Sequence, residues 1–469
     1  MVRRVRHGVW LLLWLGLWAQ GAAAQSALTP AQRLAREIFE ELIEINTTDS
    51  SGDNTRAAEA MAKRLLAAGF AEADVQVLAP APRKGNLVAR LRGANAGRKP
   101  LLLLAHLDVV EARREDWSLD PFTFTEQEGY FYGRGTTDDK PMAAIWIANL
   151  IRFKQEGVVP ERDIIVALTA DEEGGDHNGV AWLLQNHKPL VDAAYALNEG
   201  GGGQIKSGRK LLNAVQASEK VFQSFHVEAT NKGGHSSRPE PDNAIYRVAA
   251  ALTRIAAFTF PTNLNEVTRT YFERMSGIET GPLAQDMKGV AQPRADAAAV
   301  TRLSQQAYYN ALMRTTCVAT LIEGGHAENA LPQLARATVN CRILPGEDPA
   351  VVLSTLQRVV ADDQVKVTPV AAAKPSPPSP LSGEVMGPIE RITREMWPGV
   401  PVVPVMSTGA TDGLYLRQEG IPVYGVSGLF GDIDDNRAHG RDERMAVSSF
   451  YEGLDFLYRL MKALALPST

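Results

Sequence analysis

The sequence is poor in cysteine: Cys317 and Cys341 are the two in 469 residues, too few for a disulfide framework to hold a chain of this size. It also lacks a basic surplus. Lysine and arginine number 49 against 54 aspartates and glutamates, a formal charge of −5, which argues against nucleic acid as a partner. Histidine is scarce at 8, with no clustered tract of the kind a zinc-storage or metal-delivery protein would present. No internal repeat marks a solenoid. The N-terminal apolar run, residues 9–19, falls short of the ~20 residues that cross a bilayer. What is present is ordinary for a soluble globular chain: 45% hydrophobic and 22% charged residues, which excludes disorder or a multispan membrane protein as whole-chain readings.

The N-terminus reads as a secretory signal. Arg3, Arg4 and Arg6 precede the apolar run, and Ala22-Ala23-Ala24 supplies the small residues of a cleavage site. Cleavage near Ala24 predicts a secreted protein, periplasmic if the source is bacterial, with no membrane association once the signal is removed.

Helical and strand patterns alternate through the first half. Leu34, Ile38, Leu42 and Ile45 recur at helical spacing after Thr29-Pro30, and a second helix covers residues 55–68. Strand-like runs at Asn86–Leu91, 101–105, Ile164–Thr169 and 193–197 are interleaved with helical residues 142–153 and 180–185. That alternation predicts an α/β fold, a mostly parallel sheet flanked by helices. After Ser218 the texture becomes α+β. Residues 221–229 alternate as a half-buried strand, a helix covers Ala244–Ala257, and residues 316–322 and 336–344 read as antiparallel strands. The division expected is residues 1–24 as signal, 25–217 as the first part of a catalytic domain, 218–372 as an inserted lid domain with an antiparallel sheet, and 373–469 as the second catalytic part. The Pro-rich residues 374–380 mark the return from the lid.

Five short blocks carry chemistry. Ala105-His106-Leu107-Asp108 follows an apolar strand, and ligands of open α/β sheets gather at carboxyl ends of strands. A His two residues before an Asp suits a metal ligand whose second ring nitrogen is held. Gly133-Arg134-Gly135-Thr136-Thr137-Asp138-Asp139-Lys140 is an acidic turn before a helix, and Asp171-Glu172-Glu173-Gly174-Gly175 places adjacent carboxylates at a strand end, where a cation relieves their repulsion. Asn198-Glu199 and Ala438-His439-Gly440 complete the set. Each alone reads equally well as a solvated turn or a helix cap. Together they offer His106, Asp138, Glu173, Glu199 and His439 as metal ligands, with Glu172 free to act as a base. Two imidazoles with carboxylates suit zinc, and a shared carboxylate suits two ions.

The H-x-D, G-R-G-x-x-D-D-K and D-E-E-G-G blocks, in this order, resemble the zinc-dependent metallopeptidase and deacylase family. It contains aminoacylase, G-type glutamate carboxypeptidase, acetylornithine deacetylase, succinyl-diaminopimelate desuccinylase and carboxypeptidase S; the texture is nearest the carboxypeptidase S-like branch. The likeness runs from about Leu34 to the C-terminal helix. It implies two Zn2+ per chain, with Co2+ or Mn2+ as substitutes. Asp138 would bridge them, His106 and Glu199 would hold one, and Glu173 and His439 the other. Asp108 would orient His106, Glu172 would be the catalytic base, and the Asp138–Asp139 peptide would be cis. One departure is Pro141, where many members have Gly; proline suits the first turn of a helix.

The resemblance extends to the lid. His235 in Gly233-Gly234-His235-Ser236 would stabilise the oxyanion, in its own chain or across a homodimer formed through the lid. Asn329 and Arg342 would hold a substrate carboxylate, and Gly409 lies in a loop that would line the pocket. Cys317 and Cys341 face one another across a hairpin near Asn329, and a disulfide or two buried thiols both fit that placement. The activity implied is hydrolysis of an amide beside a free carboxylate, by a carboxypeptidase or dipeptidase on short peptides. The alternative is an N-acyl amino acid deacylase. A non-catalytic binding protein on the same fold is the reading from another class, and the completeness of base and ligands argues against it. Neither the bridging pattern nor the lid distinguishes a monomer from a homodimer.

Overall fold

A computed structural model describes residues 27–466; the expected signal at 1–24 lies outside the described residues. The first helix, Pro30–Glu44, starts from a reciprocal cap in which Thr29 Oγ1 accepts the Gln32 amide and the Gln32 side chain accepts the Thr29 amide, with Pro30 in the first turn. Its Ile38, Phe39, Leu42 and Ile43 are buried at helical spacing, and Phe39 stacks on Phe450 of the final helix, Val447–Ala465, at 4.7 Å. The sequence ends of the catalytic domain are thereby packed together.

The large sheet has ten strands among the described residues. At its centre Leu101–His106 lies parallel between Ile164–Thr169 and Tyr195–Asn198. Every residue of these three strands is buried, as expected of parallel strands covered on both faces. Helix Lys140–Gln155 covers one face; all but three of its sixteen residues are buried. Antiparallel pairings occur toward the edges, Val75–Leu78 with Asn86–Leu91 and Gly203–Lys206 with Arg209–Glu219. The central strands run in one direction, so the loops after His106, Thr169 and Asn198 emerge at one end of the sheet.

Four antiparallel strands build the lid, ordered Thr316–Gly324, Leu334–Ile343, Val221–Thr230, Val365–Pro369. Helices Ala244–Ala257 and Pro349–Val360 cover one face through Val248, Ala251, Val352 and Leu356. Cys317 stands opposite Cys341 in this sheet, and the two form a disulfide.

One expectation is corrected. Within 218–372, the helices Glu266–Met275, Gly281–Ala291, Ala297–Leu303 and Ala307–Met313 do not join the lid core. Their Val267, Phe272, Met287, Val290 and Leu303 share the core of the large sheet, and Arg274 Nη1 donates to the Val402 carbonyl at 2.7 Å. Helix Glu266–Met275 packs against strand Val402–Ser407, Gly281–Ala291 packs on that helix, and Ala297–Leu303 on Gly281–Ala291. The chain thus leaves the large sheet after Glu219, returns for residues 266–313, and enters the lid again at Thr316. Among the described residues no helix is long and apolar enough to cross a membrane.

Candidate active site

His106 is the last residue of its strand and is 2% exposed. Its Nδ1 faces the Asp108 carbonyl oxygen at 3.0 Å, and its Nε2 lies 2.9 Å from Asp138 Oδ1. Asp138 reaches two histidines, because its other oxygen, Oδ2, lies 3.1 Å from His439 Nε2. The same His439 nitrogen is 2.9 Å from Glu173 Oε1. His106, Glu172 and Glu199 form a second close group of potential ligand atoms, and His106, Asp138 and Glu173 the first. Asp138 thus occupies a bridging position between the two histidines. The Asp138–Asp139 peptide is cis.

Asp108 contacts His106 and also supports the neighbouring acidic turn. Its carboxylate is 3.6 Å from His106 Nδ1, farther than its own carbonyl. The two carboxylate oxygens instead accept the amides of Glu172 (3.1 Å) and Glu173 (2.9 Å). Asp108 therefore fixes the backbone that carries both glutamates, and orients His106 mainly through its main chain.

The site concentrates carboxyl groups in a largely buried setting. Burial pushes the Glu172 carboxyl up to about 10, with Glu199, Asp412 and Glu173 adding repulsion. Burial also raises Glu173 and Glu199. Burial alone would raise Asp138 too, but the bonds from His106 and His439 hold it below the ordinary carboxylate range. His439, more than half exposed, is raised to about 9 by its bond to Asp138, against the effect of burial.

The donor geometry fits a metal. His106 Nδ1 faces an acceptor and so carries a proton; its Nε2 is aimed at another acceptor, Asp138 Oδ1. That contact is satisfied either by a second ring proton, which the surrounding carboxylates favour by raising His106 against the effect of burial, or by a cation between the two atoms. Glu173 Oε1 is buried without a hydrogen bond, although His439 Nε2 is near, because that approach lacks hydrogen-bond geometry. A divalent cation would take the place of those ring protons, and two imidazoles with three carboxylates form the mixed nitrogen and oxygen set that borderline divalent ions prefer.

Several supports had no assigned role in the motif reading. Arg134 and Glu443 form a buried ion pair joining the loop of Asp138 to that of His439. Lys84 reaches Asp171 at 2.6 Å and anchors the start of the acidic turn. Asp412 accepts from Asn178 (2.6 Å) and Thr169 (3.2 Å) beneath that turn, and burial raises it to about 6. Gly135 has φ +84°, and a Cβ there would meet Val109 at 2.8 Å, so the glycine is required for the loop to pass. Asp171 and His439 adopt left-handed backbone at φ 60° and 61°, uncommon for non-glycine residues and typical of functional turns.

The lid residues are arranged among themselves. His235 and Ala330 pair in a short ribbon, and the Ser236 amide donates to the Asn329 carbonyl at 2.9 Å, so His235 and Asn329 are neighbours. His235 is exposed, and among the described residues its ring bonds locally to Ser237 rather than to the carboxylate cluster. Arg342 lies over the Phe222 ring at 4.8 Å on the lid sheet. Gly409 is half-buried, its amide bonded to Ser407 Oγ.

Residues 102–463 match the model of peptidase family M20/M25/M40, a span that contains all five candidate ligands and Glu172. The human N-fatty-acyl-amino acid synthase/hydrolase PM20D1 is 29% identical over 385 residues, 79% of this chain and 75% of that protein. The probable carboxypeptidase S-like 2 of Dictyostelium discoideum is 28% identical over 391 residues, 80% of this chain and 74% of that one. Among solved structures, the M20 family metallo-carboxypeptidase Sso-CP2 of Sulfolobus solfataricus superposes with a TM-score of 0.65 at 16% identity, covering 92% of this chain and 99% of that one, which shows a shared fold. The chain, with its two histidines and three carboxylates gathered at one end of the sheet, belongs to peptidase family M20/M25/M40.

Proposed function

We propose that this protein is a secreted hydrolase with two Zn2+ per chain that cleaves an amide bond beside a free carboxylate. The observation that carries the reading is the position of Asp138, with one carboxylate oxygen on His106 and the other on His439. His106 and Glu199 would hold one ion, Glu173 and His439 the other, and Asp138 both. When bound, the ions would polarise the scissile carbonyl and acidify water.

The chain's own groups do the rest. Glu172 takes a proton from the attacking water and returns it to the departing amine. Asp108 keeps Glu172 in place through the two backbone amides. From the lid, His235 donates to the developing oxyanion, while Asn329 and the planar fork of Arg342 hold the substrate carboxylate. The Gly409 loop lines the pocket.

The first substrate reading is a short peptide cleaved by a carboxypeptidase or dipeptidase action, in line with the carboxypeptidase S-like relative. Deacylation of an N-acyl amino acid is the second, supported by the similarity to human PM20D1. Both release an amino acid with a free carboxylate and differ in the acyl side. The Cys317–Cys341 disulfide supports a secreted, and in a bacterium periplasmic, location, since disulfides persist in oxidising compartments. The edge strand Thr316–Gly324, with Val318, Leu321 and Ile322 exposed, supports a homodimer through the lid over a monomer. Incubating the zinc-loaded protein with a mixed panel of dipeptides and N-acyl amino acids, read by mass spectrometry, tests the proposal. Consumption of either class supports it and separates the two substrate readings. Consumption of neither, with zinc bound, contradicts it.

A further inference from the structure

Where the chain passes between the large sheet and the lid, a buried cation lacks a counter-charge. Arg314 is 8% exposed and lies two residues before the lid's edge strand. Its Nη1 donates to the Phe260 carbonyl (3.1 Å), and its Nη2 to Thr262 Oγ1 (3.2 Å) and Ser304 Oγ (3.0 Å). Its Nε is buried with no partner. No carboxylate among the described residues pairs with it; Glu347, nearby in the same crossing, is engaged by Asn263 Nδ2 and Thr315 Oγ1. An isolated buried guanidinium is costly unless paired, and burial lowers its proton affinity here.

The same arginine lines a cleft of about 810 Å³. Thr262 and Ser304, the hydroxyls that accept from Nη2, line it too. Arg269 lines it as well, held by the carbonyls of Ala291 and Gln292. Thr301 adds another hydroxyl, and no Asp or Glu is among the lining residues. Two arginines, several hydroxyls and no carboxylate form an environment that repels cations and accommodates an anion.

We propose that this cleft is a binding site for a small oxyanion, a phosphate-like or carboxylate group, seated on Arg314 and Arg269 and distinct from the metal-ligand cluster. Its position gives it a consequence for the lid. Lys220 Nζ donates to the Arg314 carbonyl at 2.8 Å, and Lys220 joins strand Arg209–Glu219 of the large sheet to Val221–Thr230 of the lid. An anion held there braces two passages of the chain at once.

The test uses the full, metal-loaded protein. Calorimetric titration with sulfate, inorganic phosphate and acetate is run on the parent, on Arg269→Gln and on His439→Ala. Crystals soaked in selenate locate the bound anion by selenium anomalous scattering. The expected results are selenate in the cleft, saturable binding that survives His439→Ala, and an affinity about tenfold weaker in Arg269→Gln, the loss of roughly one charge-assisted hydrogen bond. Tighter binding of phosphate assigns the site to inorganic anions, and tighter binding of acetate to carboxylate ligands. Selenate confined to the metal cluster, binding abolished by His439→Ala, an unchanged affinity in Arg269→Gln, or no saturable binding of any of the three anions overturns the proposal. Arg269→Gln is the chosen variant because Arg314 also ties Phe260 and Thr262 together and its loss would disturb folding.

Discussion

Arg134 donates through Nη1 to Glu443 Oε2 at 2.7 Å, and both side chains are buried. Glu443 also accepts the Gly135 and Thr137 amides at 3.0 and 2.7 Å, while Arg134 Nη2 donates to the Gly440 carbonyl at 2.9 Å. The pair thus clamps the loop that carries Asp138 to the loop that carries His439. Removing one partner of a buried ion pair strands the other, at about 3–5 kcal/mol. Glu443→Ala is expected to lower unfolding free energy by that amount in urea titration and to reduce bound metal measured by elemental analysis. Unchanged metal content would separate the clamp from the site.

The disulfide joins directly opposed residues of the lid's edge and inner strands, closing a segment with a separation of 24 residues. A loop of that length stabilises by about 3.5 kcal/mol in the chain-entropy account. Replacing both cysteines by alanine is expected to lower the urea midpoint by a corresponding amount. A reductant should reproduce the loss in the parent and have no effect on the double variant.

Lys220 makes stability depend on pH. Burial lowers its ammonium to about 7, against an ordinary value near 10.4 in the unfolded chain. Below pH about 7 both states hold the proton and the burial penalty is fully present. Between that point and about 10.4 the unfolded state binds more protons, so stability rises with pH, by up to about 1.4 kcal/mol per unit for one group. Lys140, also lowered to about 7 by burial, contributes in the same direction. Urea midpoints from pH 7 to 10 should therefore climb less steeply in Lys220→Met than in the parent. An identical slope would contradict the burial of a neutral lysine.

Arg342 is proposed to hold the substrate carboxylate. Arg342→Lys keeps the charge and loses the fork, so KM should rise about tenfold while kcat changes little, as for the loss of a bidentate bond. Initial-rate kinetics with a carboxylate substrate check this. An equal fall in kcat with KM unchanged would place the residue elsewhere in the reaction.

Much of the architecture was legible because local pattern and burial agree. The helix Ala244–Ala257 shows its apolar stripe, and Ile164–Thr169 is apolar up to its last residue because the strand is covered on both faces. The site blocks stood out because each lies directly after a strand or in a glycine-marked turn. Residues 266–313 were misassigned to the lid because an amphipathic helix declares that one face is buried without declaring against what; Val267 and Phe272 found the large sheet. Lys84 carries no pattern by which its pairing with Asp171, 87 positions away, could be read. Arg134 lies in one of the site blocks and Glu443 three residues past another, but their pairing spans 309 positions and exists only in the fold.

The most direct test of the central claim is turnover and metal content measured together in Glu172→Gln. The account predicts a folded protein with parental metal content and a rate reduced by at least about 100-fold on whichever substrate class the parent consumes, the contribution of a positioned general base. Near-parental turnover with the metal retained would contradict it.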